Sequence, residues 1–201
     1  MEIISLDPRQ MQQASIVLSA SFFDYPSFTF YFPDPNRRAR YLPWFFQSGL
    51  KIALRYGEVY TTSSVSGVSL ILPPVHTKIS LWEVIQSYGL TTPFRMGFRN
   101  FKHWIDCESF VEGIHGKLMK NRSHYYLWGL AVDPNHKSKG IGSALMEPVM
   151  AKADAQKLPV YLETHNEKNI RFYEKHGFKL IHTVRIPKCE LPIMCMLREP
   201  T

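Results

Sequence analysis

The chain has 201 residues and a formal charge of +7, and it contains no apolar run approaching the roughly 18 residues that span a bilayer. A composition of 45% hydrophobic and 20% charged residues excludes a disordered chain, and the length suits one domain spanning residues 1–201. The three cysteines, Cys107, Cys189 and Cys195, have no CxxC spacing, which argues against a disulfide framework or a zinc cluster and points to a reducing, cytoplasmic setting without metal.

The N-terminus lacks a basic region followed by an apolar stretch, so no targeting segment is expected. The positive charge suits a polyanionic partner: nucleic acid, an anionic membrane surface or a phosphate-bearing cofactor. Its basic residues are spread along the chain, and no nucleic-acid recognition motif accompanies them.

In chain order, a strand is expected at residues 2–6. Asp7-Pro8 then reads as a helix cap, with Met11, Ser15, Leu18 and Phe22 at helical spacing. Residues 22–35 are aromatic and broken by three prolines, so they read as irregular, followed by a helix from 36 to 56 that Pro43 should kink. The runs 58–62 and 67–72 flank Ser63-Ser64-Val65-Ser66 as an antiparallel hairpin. Residues 75–122 carry no chemical motif, with helical patterns at 81–88 and 110–119. From 124 onward the pattern is strand 125–132, helix 140–156, strand 160–164, helix 169–176, then an antiparallel pair at 179–185 and 191–198.

The chemistry gathers where the strand ending at Val132 runs through Asp133-Pro134-Asn135-His136-Lys137-Ser138-Lys139-Gly140-Ile141-Gly142-Ser143 into a helix. Free N–H groups and the dipole at a helix start attract phosphate, and glycine lets backbone approach a ligand closely. A Rossmann turn is disfavoured because there is no third glycine and the turn comes late in the chain. A nucleotidase phosphate loop fails for want of Lys-Ser or Lys-Thr after the required glycine.

The segment Val132-x-Pro134-x-x-Lys137-x-x-Gly140-x-Gly142 resembles the acyl-CoA signature of the GNAT superfamily, with Lys137 where Arg or Gln is usual. Residues Asn166 to Phe178 resemble that superfamily's second motif. The resemblance covers 124–198, and the combination of Leu162-Glu163-Thr164 with Asn169, Phe172 and Tyr173 is similar to the branch that includes puromycin N-acetyltransferase. It implies a mixed α/β fold: a central, mostly antiparallel sheet flanked by helices, with parallel strands around a CoA groove.

The resemblance further implies that Leu130, Ala131 and Val132 pair with the pantetheine amides, and that Lys137, Ser138, Lys139, Gly140, Ile141, Gly142 and Ser143 surround the pyrophosphate. Asn166, Asn169 and Phe172 would lie along the cofactor, with Lys168 or Arg171 available to a phosphate. Tyr173 resembles the superfamily's general acid. Glu163 is the first choice as base; His165, Tyr125, Tyr126 and Asp24 are alternatives. The implied activity is acetyl transfer from acetyl-CoA to a small-molecule amine, by direct attack, in a monomer or homodimer. The acceptor site would be lined by 22–35 and parts of 75–122. A peptide acceptor, or a CoA-binding regulatory module without turnover, are the competing readings.

Overall fold

Short apolar runs separated by polar turns resolve into seven strands of one sheet in the computed structural model, which describes residues 1–187 and 189–201. The strands are β1 (Ile3–Ser5), β2 (Glu58–Thr62), β3 (Gly67–Leu72), β4 (Tyr125–Val132), β5 (Val160–Thr164), β6 (Lys179–Arg185) and β7 (Pro192–Arg198). Their order is β1-β2-β3-β4-β5-β7-β6, and every neighbouring pair is antiparallel except β4–β5. This is the mixed, mostly antiparallel sheet expected from the sequence.

Among the described residues, eight α-helices cover the sheet. On one face lie α7 (Ile141–Ala155) and α8 (Ile170–Glu174); Met146 and Val149 of α7 pack with Tyr125, Leu127 and Leu162. The other face carries α1 (Met11–Ser21), α2 (Pro26–Tyr31), α3 (Pro35–Tyr56), α4 (Leu81–Tyr88), α5 (Thr92–Met96) and α6 (Phe98–Leu118). There Tyr31, Leu42, Phe45 and Trp104 form an aromatic core over Tyr161, Cys195 and Leu197. With helices on both faces, β5 and β7 are buried almost throughout, which their near-continuous apolar sequences require.

Local chemistry sets the helix boundaries. Asp34 caps α3 by accepting the Arg37 N–H at 2.7 Å, and Pro43 lies inside that helix. Ser80 and Glu83 form a reciprocal capping box at the start of α4.

Two sequence expectations are corrected on this face. The stretch expected to be irregular contains α2, because Pro26 occupies the first helical position, where its missing N–H costs nothing. The helix expected from Phe110 begins at Phe98, straight after Gly97. Cys107 on α6 and Cys189 are free thiols with sulfurs 3.6 Å apart. Among the described residues no helix is long and apolar enough to cross a membrane.

Candidate active site

The sheet opens in the middle. Parallel pairing of β4 with β5 is confined to Tyr125 with Val160 and Tyr126 with Tyr161. Beyond these, β4 stays paired with β3 while β5 stays paired with β7 through Thr164, so the two strands part and leave a cleft. A bulge accompanies the opening: the register with β3 steps from Leu70–Gly129 to Ile71–Leu127, which leaves Trp128 as an extra residue. Bulges bend the strand that carries them. Past the opening, β4 backbone groups that face away from β3 have no strand partner. Leu130, Ala131 and Val132 lie on this stretch.

At the far end of β4, residues 137–143 form the expected turn. Ser138 and Gly140 both adopt left-handed backbone, at φ 63° and 77°, on either side of Lys139. Gly140 is the N-cap of α7, and a side chain there would impose strain in that conformation. At Gly142 a Cβ would lie 3.3 Å from the Phe172 ring, so Phe172 packs against the turn from α8. Ile141 is buried and anchors the helix start, while Ser143 is half-buried in its first turn. Lys137 and Lys139 are exposed, and among the described residues neither is held in an ion pair; the same is true of Lys168 and Arg171. Free first-turn amides, left-handed backbone and uncommitted cations together fit a polyphosphate group.

On the opposite lip of the cleft, Thr164 organises the second motif. Its hydroxyl accepts from Asn169 Nδ2 at 3.1 Å and shares a 2.9 Å hydrogen bond with Tyr25. The Tyr25 hydroxyl in turn accepts the His165 N–H at 2.7 Å. Asn166 caps the following turn, its side chain accepting the Lys168 N–H at 3.1 Å. Gly177 at φ 83° ends α8, and the Phe178 N–H returns to the Tyr173 carbonyl at 3.2 Å. These bonds present Tyr173 to the cleft, and burial holds its phenol well above the ordinary tyrosine range.

The cleft opens into a cavity of about 190 Å³ between the sheet and helices α2, α3 and α6. Tyr173, Asn169, Thr164 and Leu130 line it near the cleft, and Glu163, Tyr126 and Trp128 line the sheet wall. Phe22, Tyr25, Phe28, Phe45 and Phe46 contribute an aromatic wall, so the expected segment 22–35 does reach this site. Glu163 is the chemically distinctive group. Burial pushes its carboxyl up to about 7, and the nearby Glu108 pushes the same way, while the phenols of Tyr126 and Tyr161 pull against them. Its Oε1 is shielded from solvent and has no hydrogen-bond partner.

Two of the alternative bases do not reach the site. Tyr125 points to the other face of the sheet, into the core beneath α7, because side chains alternate along a strand. Asp24 is exposed and pairs with Arg38. His165 lines the cavity, but burial lowers its basicity and its Nδ1 is bonded to the Pro192 carbonyl at 2.8 Å.

Sequence reasoning missed Glu108. It lies on α6 among Trp104, Cys107, Val111 and His115, which recur at helical spacing and face inward. A carboxylate on the apolar face of an amphipathic helix was the available signal. Glu108 is exposed as a whole residue, yet the groups packed around its carboxyl push it up to about 6, while a 3.1 Å hydrogen bond from the Tyr31 hydroxyl opposes this.

The opened sheet, the phosphate-ready turn and the adjoining cavity define a transferase that binds an acyl-CoA. The description "Acetyltransferase (GNAT) family" matches residues 82–178, and the chain belongs to this superfamily as an acyl-CoA-dependent N-acetyltransferase that uses acetyl-CoA. The match extends upstream of the segment recognised in the sequence and takes in α4 to α6. An uncharacterized N-acetyltransferase of Schizosaccharomyces pombe is 21% identical over 97% of this chain and 82% of its own. Among solved structures, one described as histone acetyltransferase HPA2 and related acetyltransferase, from Corynebacterium glutamicum, superposes with a TM-score of 0.69 at 17% identity, over 99% of this chain and 96% of that one. A Drosophila melanogaster polyamine N-acetyltransferase that forms N-acetylagmatine superposes at 0.64 with 16% identity, over 98% and 99%. At these identities the structural likeness speaks for the fold.

Proposed function

We propose that the chain is a single-domain N-acetyltransferase whose acceptor is a small molecule bearing an amine on an apolar body, acetylated by direct attack. The observation that carries this reading is the aromatic cavity between sheet and helices, which meets the cleft at Glu163. Such a cavity suits a compact ligand rather than an extended peptide.

Acetyl-CoA supplies the thioester carbonyl to be attacked and a thiol leaving group. Lys137, Ser138, Lys139, Gly140, Ile141, Gly142 and Ser143 receive its phosphates, while the cleft edge of β4 from Leu130 to Val132 orients its pantetheine arm. Asn169 and Asn166 hold the opposite lip through Thr164 and the turn they cap. Phe172 supports the glycine turn from behind.

An alkylamine enters largely as ammonium, with an ordinary value near 10.4, and must lose a proton before it can attack. Glu163 takes that proton. Its rise from 4.5 to about 7 narrows the mismatch by about 3 kcal/mol relative to an ordinary carboxylate. Tyr173, kept protonated by burial, donates toward the departing sulfur. From an ordinary phenol to a thiolate full transfer is uphill by ~2 kcal/mol. The raised Tyr173 makes it steeper, so the tyrosine acts chiefly as a hydrogen-bond donor while negative charge builds.

The test is thiol release from acetyl-CoA with a panel of small amines and of peptides. Release is expected with small amines, and Tyr173→Phe is expected to lower kcat roughly 10- to 100-fold with little change in KM for acetyl-CoA. Release confined to peptides would remove the small-molecule reading, and unaltered kcat in the variant would remove Tyr173 from the chemistry.

A further inference from the structure

Away from the cleft, two of the three cysteines meet. Cys107 on α6 and Cys189, in the connection between β6 and β7, lie 82 residues apart in sequence, with free thiols whose sulfurs are 3.6 Å apart. A separate cavity of about 450 Å³ opens onto the pair, walled by Phe30, His103 and Phe110 of the helices and by Ile186 and Pro187 of the connection. Cys107 is only 3% exposed, whereas Cys189 is half-buried. The third cysteine, Cys195, is fully buried in the aromatic core with Tyr161 and does not line this cavity.

The two thiols are unequal. Burial, and then the neighbouring Cys189 thiol, push the Cys107 thiol up to about 12. The more accessible Cys189 is therefore the sulfur that reacts first, and once it is bonded to another sulfur its charge no longer opposes ionisation of Cys107. A disulfide needs a sulfur separation of about 2.05 Å, so the pair must close by roughly 1.5 Å. The connection resists that movement: the Ile186 N–H donates to the Leu191 carbonyl at 2.9 Å, the Glu190 N–H to the Ile186 carbonyl at 3.0 Å, and Arg185 to the Glu190 carbonyl at 2.8 Å. Closure then falls on α6, where Trp104 and Val111, one turn before and after Cys107, line the acceptor cavity.

We propose that Cys107 and Cys189 form a redox modification site: a small-molecule disulfide entering the cavity oxidises them to an intramolecular disulfide that fastens α6 to the β6–β7 connection and reshapes the acceptor wall. The Cys189 thiolate attacks one sulfur of the small disulfide, which forms a mixed disulfide and expels one thiolate. Cys107, deprotonated, then attacks the Cys189 sulfur and expels the second. Two electrons pass from the protein to the small disulfide, and the two protons given up by the cysteines reach the two expelled thiolates through solvent. The effect on acceptor use rests on the small-amine reading above; the bond itself does not.

The experiment incubates the full chain with glutathione disulfide, removes the small thiols, digests the protein without reductant and weighs the peptides by mass spectrometry. The peptides holding Cys107 and Cys189 are expected to be joined and two hydrogens lighter, with Cys195 free. In the oxidised chain kcat/KM for acetylation of an amine is expected to fall roughly 10- to 100-fold, with little change in KM for acetyl-CoA and full recovery in dithiothreitol. Cys107→Ala should stop at a mixed disulfide that keeps one glutathione on Cys189. Cys189→Ala should leave Cys107 unmodified and acetylation indifferent to the oxidant. The cross-link is read in the native chain, so misfolding of a variant does not obscure it. No modification, a bond to Cys195, or a mixed disulfide at Cys189 that the native chain retains would overturn the site. A Cys107–Cys189 bond that leaves the kinetics of a working amine unchanged overturns its hold on the acceptor wall. The same bond in a chain that acetylates no amine sinks the transferase reading and spares the thiol site.

Discussion

The two halves of the site are built by different rules. On the proposed CoA side, from β4 through α8, the chain offers mainly backbone: a parted strand, two left-handed residues and a helix start. On the acceptor side, α2, α3 and α6 contribute side chains alone, in a wall of aromatics interrupted by one carboxylate. Backbone recognition constrains which residues can stand at each position, because only certain types tolerate the required φ. Side-chain recognition constrains size and charge, which many sequences meet. The first half therefore carries a motif and the second does not.

Glu163 belongs to both halves, so its variant should produce the largest effect. Glu163→Gln is expected to lower kcat/KM by roughly 100- to 1,000-fold and to abolish the acid limb near pH 7 in a pH–rate profile. An acid limb that survives in the variant would move the base elsewhere. The same group makes a signed stability prediction. Its value is raised in the folded protein, so the empty protein should lose stability as pH rises from below 4.5 through about 7, and Glu163→Gln should flatten that fall.

A pair of substitutions sharpens the division more finely. Gly140→Val places a β-branched side chain in left-handed backbone, costing ~1–2 kcal/mol and misaiming the first-turn amides. It should raise KM for acetyl-CoA by roughly 10-fold and leave that for the amine nearly alone. Trp104→Phe should do the opposite by a few-fold, since Trp104 lines only the acceptor cavities. Both KM values moving together in either variant would break the division. The smallest catalytic effect belongs to Asp154→Asn. That carboxylate binds Arg198 through two 2.8 Å hydrogen bonds that clamp α7 to β7, and Arg198 holds it well below the usual carboxylate range. Denaturant unfolding should show a loss of about 1–2 kcal/mol, with kcat and both KM values unchanged.

The same division explains what could be read from sequence. The hairpin β2–β3, strands β4 and β5 and the turn at 137–143 are legible because alternation and glycine are local signals. Lys137 in place of the usual Arg or Gln does no damage to that reading, since backbone makes most of the turn. By contrast, α2 was hidden by its prolines, although Pro26 is a helix-starting proline rather than a breaker. The first half of α6 was hidden because Phe98, Phe101 and Trp104 sit among basic residues that blur the helical period. The bulge at Trp128 has no sequence signature, as it depends on how β3 and β4 meet. Tyr125 and Tyr126 are neighbours of the same type, and only the sheet decides which one faces the cavity.

The parting of β4 from β5 also bears on how the protein comes apart. Two residue pairs are all the ladder that joins a four-stranded block, β1 to β4, to a three-stranded block, β5 to β7. The remaining connection is side-chain packing through the helices on either face. Such a seam is expected to let the two blocks open with separate free energies in amide exchange. A coenzyme arm lying along it, as proposed, would act as a suture, so loading should fuse the two blocks into one unfolding unit and slow amide exchange in β5 and β7.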